Sequence, residues 1–577
     1  MAPFSVPAKQ VSAWVTETDP KSAQEWITNL PMGDIAEASR EIYQAIYTLN
    51  RLKIGPASRF KLLQLYQQPV DTISSALKSQ YQKNVFPLNE IKRQLAEFVR
   101  ELQMEMAHGY KCTILDAEKA RFMWGKKELK VQASTHAMFY LGEVLKCSYE
   151  VYMACPSMVW QEIHGIYQYA ERLGWLESGN GTGADISPIT KEYLINILMG
   201  LNNPYQLPEQ ELGKVREFLE GWAQLAEISP KLEINNIAGH FLIDLTSDSP
   251  PAPFPSDVSM QPAAHLRSLN ALGIARKLQD AITRLKSGVP VSKLGLQTDC
   301  LDSDCLEMLK RMMRNWGLAV RRSRSRIKAR GKCFIASGLR AIHYFSSGQT
   351  PFSVQGPNGI GTQSPAAMPS PEDITNIETD VESDDDSGYI DLDVVAHHDQ
   401  TSTRDSQAKA TAADSVFRIE QWRIADESAG GMRILHNGQI GARVRVGDLL
   451  GVQDSNNPRA WRIGAVRWLK TPGKARIEVG LEMITPDASP VAIRLLEEEG
   501  MEYSQALLVP PMPALKRPAT LIMPAGFYKR EKPLEMIEAD GLQRKVKALD
   551  LLEHTNVYEH IVFADMAADA SDTMFSL

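Results

Sequence analysis

Cysteine is scarce: the 577-residue chain has six, Cys112, Cys147, Cys155, Cys300, Cys305 and Cys333, almost all far apart. Secreted disulfide frameworks are short and cysteine-dense, so that class is excluded. Only Cys300 and Cys305 lie close together, and no second pair or histidine cluster completes a zinc site. No run of about 18 uncharged apolar residues occurs, so no membrane-spanning helix is expected. The start, Met-Ala-Pro-Phe-Ser-Val-Pro, lacks the basic opening and apolar core of a secretion signal. A cytoplasmic protein with reduced thiols is the expectation. A net charge of −7 excludes a protein-wide basic character aimed at nucleic acid. Enzyme signatures are missing as well: no P-loop, no Gly-x-Ser-x-Gly elbow, no His-Glu-x-x-His helix. The eleven histidines are scattered, and the adjacent His397 and His398 lie in an acidic stretch. No catalytic role, cofactor or metal is expected.

The chain has a composition of 44% hydrophobic and 23% charged residues, that of ordinary folded proteins, and a length too great for a single core. Residues 1–246 read as helix after helix. Asp34 and Glu37 have the capping-box spacing, followed by Ile35, Ile42, Ile46 and Leu49 as an apolar stripe. Ser157 opens a second stripe, with Trp160, Ile163, Tyr167, Ala170 and Leu173, which Gly174 is placed to end. A third holds Leu212, Val215, Leu219, Trp222 and Leu225. Such helices are compatible with an α-solenoid, although no repeat of fixed period marks one.

Residues 247–262 carry five prolines and read as a semi-rigid linker. Helical spacing resumes over 263–320, with Leu266, Leu269, Leu272, Ala275 and Leu278. The stretch 346–415 is rich in Gly, Pro and Ser and then acidic: residues 372–399 hold eleven Asp or Glu and no Lys or Arg. Disorder is expected there, because too little apolar surface is available to offset the ordering entropy. Residues 310–332 are the opposite, with ten Lys or Arg and no acid.

From 416 the period changes from 3.6 to 2. Ile477, Val479, Leu481 and Met483 alternate with polar or small residues, Trp461 to Trp468 precedes them, and Thr471-Pro472-Gly473-Lys474 marks a turn between. Asn437-Gly438 marks another turn, and Arg443 to Val446 another alternating run. Closely spaced hairpins predict a small antiparallel barrel. Residues 491–577 begin with an expected short helix, Val491 to Glu499. Strand-like pieces follow around 519–523, 533–539, 543–551 and 556–563, with Asp540-Gly541 as a hairpin turn. The fold class expected is α+β and multidomain, an all-α region followed by an antiparallel barrel and a small β-rich region.

Two segments carry a chemical message together. Arg321-Arg322-Ser-Arg-Ser-Arg326-Ile327 leads into a strand-like run from Lys332 to Phe345, and Asp426-Glu-Ser428-Ala-Gly-Gly431 follows a hundred residues later. They resemble the paired signature of the PilZ domain, an Arg-x-x-x-Arg, a strand, and then Asp-x-Ser-x-x-Gly. Residues 464–468 and 479–483 resemble that family's closing strands. The resemblance implies a six-stranded barrel over 321–490, interrupted by the 346–415 insertion, that binds the bacterial second messenger cyclic di-GMP. Arg322 and Arg326 would be the arginine pair, with Arg321 beside them, and Asp426, Ser428 and Gly431 the second motif. Arg326 with Arg330 is a competing register; Ile327 after Arg326 favours the first.

The chemistry fits independently of the name. The dinucleotide offers two phosphodiester anions and two guanine edges. A guanidinium can fork onto a phosphate or onto guanine O6 and N7, and its plane can stack on a base. Asp426 can accept from guanine N–H groups, Ser428 offers a small hydroxyl, and glycine admits close approach. The expected function is a cyclic di-GMP effector whose helical region engages a protein partner. The resemblance implies control of motility, pili, attachment or exopolysaccharide. One alternative is a scaffold whose barrel binds protein and no ligand. Another, less favoured, is a nucleic-acid binder using residues 310–332.

Overall fold

The computed structural model describes the chain apart from residues 1–3, 11–15, 83–85, 122, 177–185, 233–237, 256–262, 295–301, 318–326, 354–416, 429, 439–443, 456, 474–475, 497–501, 514–515 and 567–577. The chain divides into two compact units, the first drawn mainly from residues 1–323 and the second mainly from 324–577.

The first unit opens with α1 (Pro20–Thr28), α2 (Ile35–Arg51), α3 (Pro56–Tyr81), α4 (Glu90–Lys119), α5 (Lys126–Glu150), α6 (Val159–Arg172), α7 (Pro188–Leu201) and α8 (Glu211–Trp222). Asp34 caps α2 as its spacing predicts, its carboxylate accepting from the Ala36 and Glu37 amides. The Ser157 start is displaced. Helix α6 begins at Val159, and its amide end is satisfied by Asp248, whose carboxylate accepts from Met158, Trp160 and Gln161. A cap supplied from about ninety residues away has no local signature. The expected aromatic core is present, with Tyr167 stacked on Tyr193 and Tyr110 on Tyr140. Lys111 of α4 is buried against Glu162 of α6, Nζ to Oε2 2.5 Å, an arrangement that tolerates burial because each charge neutralises the other.

The all-α reading of 1–246 and the linker reading of 247–262 need correction. Strands β1 (Glu227–Ser229), β2 (His240–Asp244), β3 (Ala252–Pro253) and β4 (Leu266–Asn270) form an antiparallel sheet in the order β1-β4-β2-β3. Pro253 sits on an edge strand, where the missing N–H removes no ladder bond. Leu266 and Leu269, spaced as on a helix, lie on a strand hydrogen-bonded on both sides. The helical reading holds from α9 (Leu272–Lys286), and α10 (Asp302–Gly317) follows.

The second unit holds two closed barrels. The first is made of β5 (Ile327–Ser337), β6 (Glu420–Ser428), β7 (Gly431–Asn437), β8 (Leu449–Asp454), β9 (Asn457–Gly473) and β10 (Arg476–Thr485), closed in the order β10-β7-β6-β5-β8-β9. Ile477, Val479 and Leu481 face its interior as the alternation predicts, whereas Met483 is only partly buried beyond a register shift. The strand expected from Lys332 to Phe345 ends at Ser337. Gly338 takes φ 87°, and α11 (Leu339–Ser346) follows, so the second half of the expected strand is helix. The strand expected at Arg443 to Val446 is, in its described part, a turn held by Asp448, which accepts from the Arg445 amide at 2.7 Å.

The second barrel is made of β11 (Ser489–Leu495), β12 (Ser504–Val509), β13 (Thr520–Pro524), β14 (Pro533–Ile537), β15 (Gln543–His554) and β16 (Tyr558–Asp565), in the order β11-β12-β13-β16-β15-β14. The short helix expected from Val491 is therefore β11. Val491, Ile493 and Leu495 alternate into a core with Leu521, Met536 and Ile561, and the β-branched pair favours the strand. The two barrels share a core: Ala336, Ile342, Trp461 and Ile463 pack with Leu507, Val509, Ile522 and Tyr558. At about 1.5–3 kcal/mol for each large buried side chain, this seam makes the pair one body.

Candidate ligand site on the first barrel

Strands β6 and β7 form a hairpin whose tip is the second motif. Ser428 pairs with Gly431 in the ladder, and its hydroxyl donates to the Gly431 carbonyl at 3.2 Å. Gly431 faces its other neighbour so closely that a Cβ there would lie 2.8 Å from the Leu481 carbonyl oxygen. The glycine is thus required by the barrel itself, whatever binds beside it.

Asp426 reaches the outer face through a bulge. Trp422 and Ile424 point inward, and strict alternation would send Asp426 inward too. A register shift between Ile424 and Asp426 places Ile424 opposite Ile434 but Asp426 opposite Arg433, which points outward. There the Asp426 carboxylate, only 8% exposed, pairs with Arg433, Nε to Oδ2 2.7 Å. Arg433 also approaches Glu478 at 3.6 Å, and Glu478 holds Arg476 at 2.6 Å.

The row continues sideways. Lys328 of β5 lies opposite Asp426, and Gly480 of β10 lies opposite Arg433. A Cβ at Gly480 would fall 1.8 Å from Trp468 Nε1, so the half-buried indole lies directly over this glycine. Ion pairs flank the row, Glu427 with Arg462 at 2.5 Å and Glu482 with Arg467 at 2.7 Å. Further along the strands a cleft is lined by Lys332, Gln421, Arg423, Leu435, His436 and Asn437. Lys332 and Arg423 are exposed cross-strand partners there, and burial holds the His436 imidazole below its usual range.

Asp426, Ser428 and Gly431 are thus brought together at one hairpin. Arg321, Arg322 and Arg326 lie outside the described residues. Ile327, next to Arg326, opens β5 opposite Glu427. The strand that follows the arginines therefore enters the barrel beside the second motif, although the two are a hundred residues apart in sequence. Sequence reasoning missed Arg433 and the placement of Trp468. Arg433 could have been found two positions beyond Gly431, facing the same way as the bulged Asp426. The bulge itself has no residue signature. Among the described residues no cluster of metal-binding side chains occurs, and no helix is long and apolar enough to cross a membrane.

A closed six-stranded antiparallel barrel with this motif on its outer face is a PilZ fold, and the chain belongs to the PilZ domain family. Three family models match it in succession. They are described as the N-terminal domain of the cyclic-di-GMP receptor FimW over residues 21–231, the middle PilZ domain of that receptor over 240–490, and the FimW C-terminal beta-barrel domain over 491–566. The chain is similar throughout to the cyclic-di-GMP receptor FimW of Pseudomonas aeruginosa, 26% identical over 526 residues that cover 88% of this chain and 84% of that protein. No solved structure matches the chain.

Proposed function

We propose that this chain is a cytoplasmic, non-enzymatic receptor for cyclic di-GMP, which binds on the outer face of the first barrel. Asp426 accepts from a guanine edge and Ser428 contributes its hydroxyl. Arg321, Arg322 and Arg326, from the segment that leads into β5, supply guanidinium groups to phosphate and base. The observation that supports this reading is the pairing of Ile327 with Glu427, which sets the start of β5, the strand that follows the arginines in sequence, beside the Asp-x-Ser-x-x-Gly hairpin. The relative's description as a cyclic-di-GMP receptor supports it. Ligand captured between a basic segment and a rigid barrel favours one arrangement of that segment, and the difference in affinity is what a receptor passes on to a protein partner, here through the helical region.

The basic stretch 310–332 is a weaker candidate for nucleic acid than its composition suggests. Lys310 pairs with Glu307 at 2.6 Å, and Arg311 makes a two-point contact with Glu211 of α8. Its N-terminal part therefore serves helix packing.

Calorimetric titration of cyclic di-GMP into the full chain, with GTP as control, tests the proposal. Saturable binding is expected for the dinucleotide alone, lost in Arg322→Ala and in Asp426→Ala. Binding that survives Arg322→Ala but falls with Arg330→Ala would move the arginine register. Absence of binding by calorimetry and by a second method would leave a protein-binding scaffold.

A further inference from the structure

Among the described residues, the most exposed large apolar side chain lies in the helical unit. This is Trp124, which is fully exposed. It stands at the apex of the connection between α4 and α5, helices of 30 and 25 residues. Gly125, at φ 68°, turns the chain just after it. The turn is firmly built: Lys126 Nζ donates to the Glu118 and Ala120 carbonyls at 3.1 and 2.9 Å, and Lys130 ties α5 to Glu118 at 2.6 Å. An indole in water above a fixed turn has not been left there by a loose loop.

The charge around it is mainly positive, with Glu118, engaged by Lys130, and Glu128 as the acids at its borders. Residues 119–127 contain four Lys or Arg and no Asp or Glu, and Lys119, Arg121 and Lys127, all within five residues of Trp124, are exposed. We infer that this tip is a peripheral membrane contact, with Trp124 entering the interface of an anionic phospholipid bilayer and the surrounding cations held at its headgroups. Tryptophan suits that boundary because its ring is apolar and its N–H polar. The connection between α4 and α5 is short, residues 120–125. It cannot supply the roughly 800 Å² a side that a specific protein interface needs, whereas a bilayer accepts a small protruding anchor. Each cation near an anionic surface strengthens binding by a factor of about five, so a few of them with one indole give reversible association that salt weakens. The site is remote in sequence from the ligand motif and does not depend on cyclic di-GMP.

The test is co-sedimentation of the full chain with phosphatidylcholine vesicles containing phosphatidylglycerol, and with phosphatidylcholine alone. Binding is expected only to the anionic vesicles and only at low salt. Trp124→Ser weakens it, and Lys127→Glu, a change of two charges, weakens it by about thirtyfold. Both positions are exposed, so unchanged thermal unfolding separates loss of binding from loss of fold. The inference is overturned if the chain ignores anionic vesicles, if it binds neutral and anionic vesicles alike, or if neither variant differs from the parent.

Discussion

His343 gives the sharpest prediction about how the two barrels are held together. It lies on α11 with no exposed surface, its ring set edge-on against Phe352, and neither ring nitrogen makes an aligned hydrogen bond. Burial lowers its pKa from 6.5 to about 4, with the nearby Val491 backbone acting weakly the other way. The folded state therefore resists a proton that the unfolded chain accepts. Stability from this group is complete above pH 6.5 and is lost as the pH falls from there towards 4. The full penalty is about 3 kcal/mol, of which about 2 kcal/mol has accrued by pH 5. His343→Leu removes the titrating group and keeps an apolar side chain. Because the chain has more than one unit, a single unfolding midpoint is ill-defined, and hydrogen exchange of peptides from α11, β11 and β12 is the cleaner assay. Protection in the parent should fall by about thirtyfold relative to the variant between pH 8 and pH 5, and the two should exchange alike at pH 8. A parallel decline in both proteins would refute the reasoning, because it would place the titration elsewhere.

Gly431→Ala should destabilise the first barrel by about 1–3 kcal/mol, because the added methyl meets a backbone oxygen that cannot rotate away. Calorimetric unfolding checks this; unchanged stability with lost ligand binding would mean that the glycine serves the ligand and not the barrel. Between the barrels, Arg467 of β9 grips Glu553 of β15 with both terminal nitrogens, one at 3.0 Å, while its Nε holds Glu482. A double-mutant cycle with Arg467→Met and Glu553→Gln should give a coupling of about 1–2 kcal/mol, reduced by partial exposure. Strict additivity would show the pair to be ornamental.

Much of this protein was legible in its residues, because local rules suffice where local interactions decide. Asp34 caps α2 through amides two and three residues away, and the alternation of Ile477, Val479 and Leu481 specifies a strand with one inward face. The motif Asp426, Ser428 and Gly431 spans six residues and could be read at once. The helix read at Val491 and the strand read through Phe345 went the other way, because short apolar runs fit either period until a partner strand or a turning glycine chooses.

Where the answer depended on distant partners, only the tertiary structure decided it. Asp248 caps α6 from about ninety residues along the chain, and Leu269 becomes a strand residue only because β1 and β2 flank it. The bulge beyond Ile424 turns Asp426 from the barrel interior to its outer face, which places it against Arg433. The pairing of Ile327 with Glu427 closes a hundred-residue gap that sequence distance cannot measure. Residue types determined what chemistry was available; hydrogen-bonded register, set by strands far apart in the chain, determined which of those groups meet.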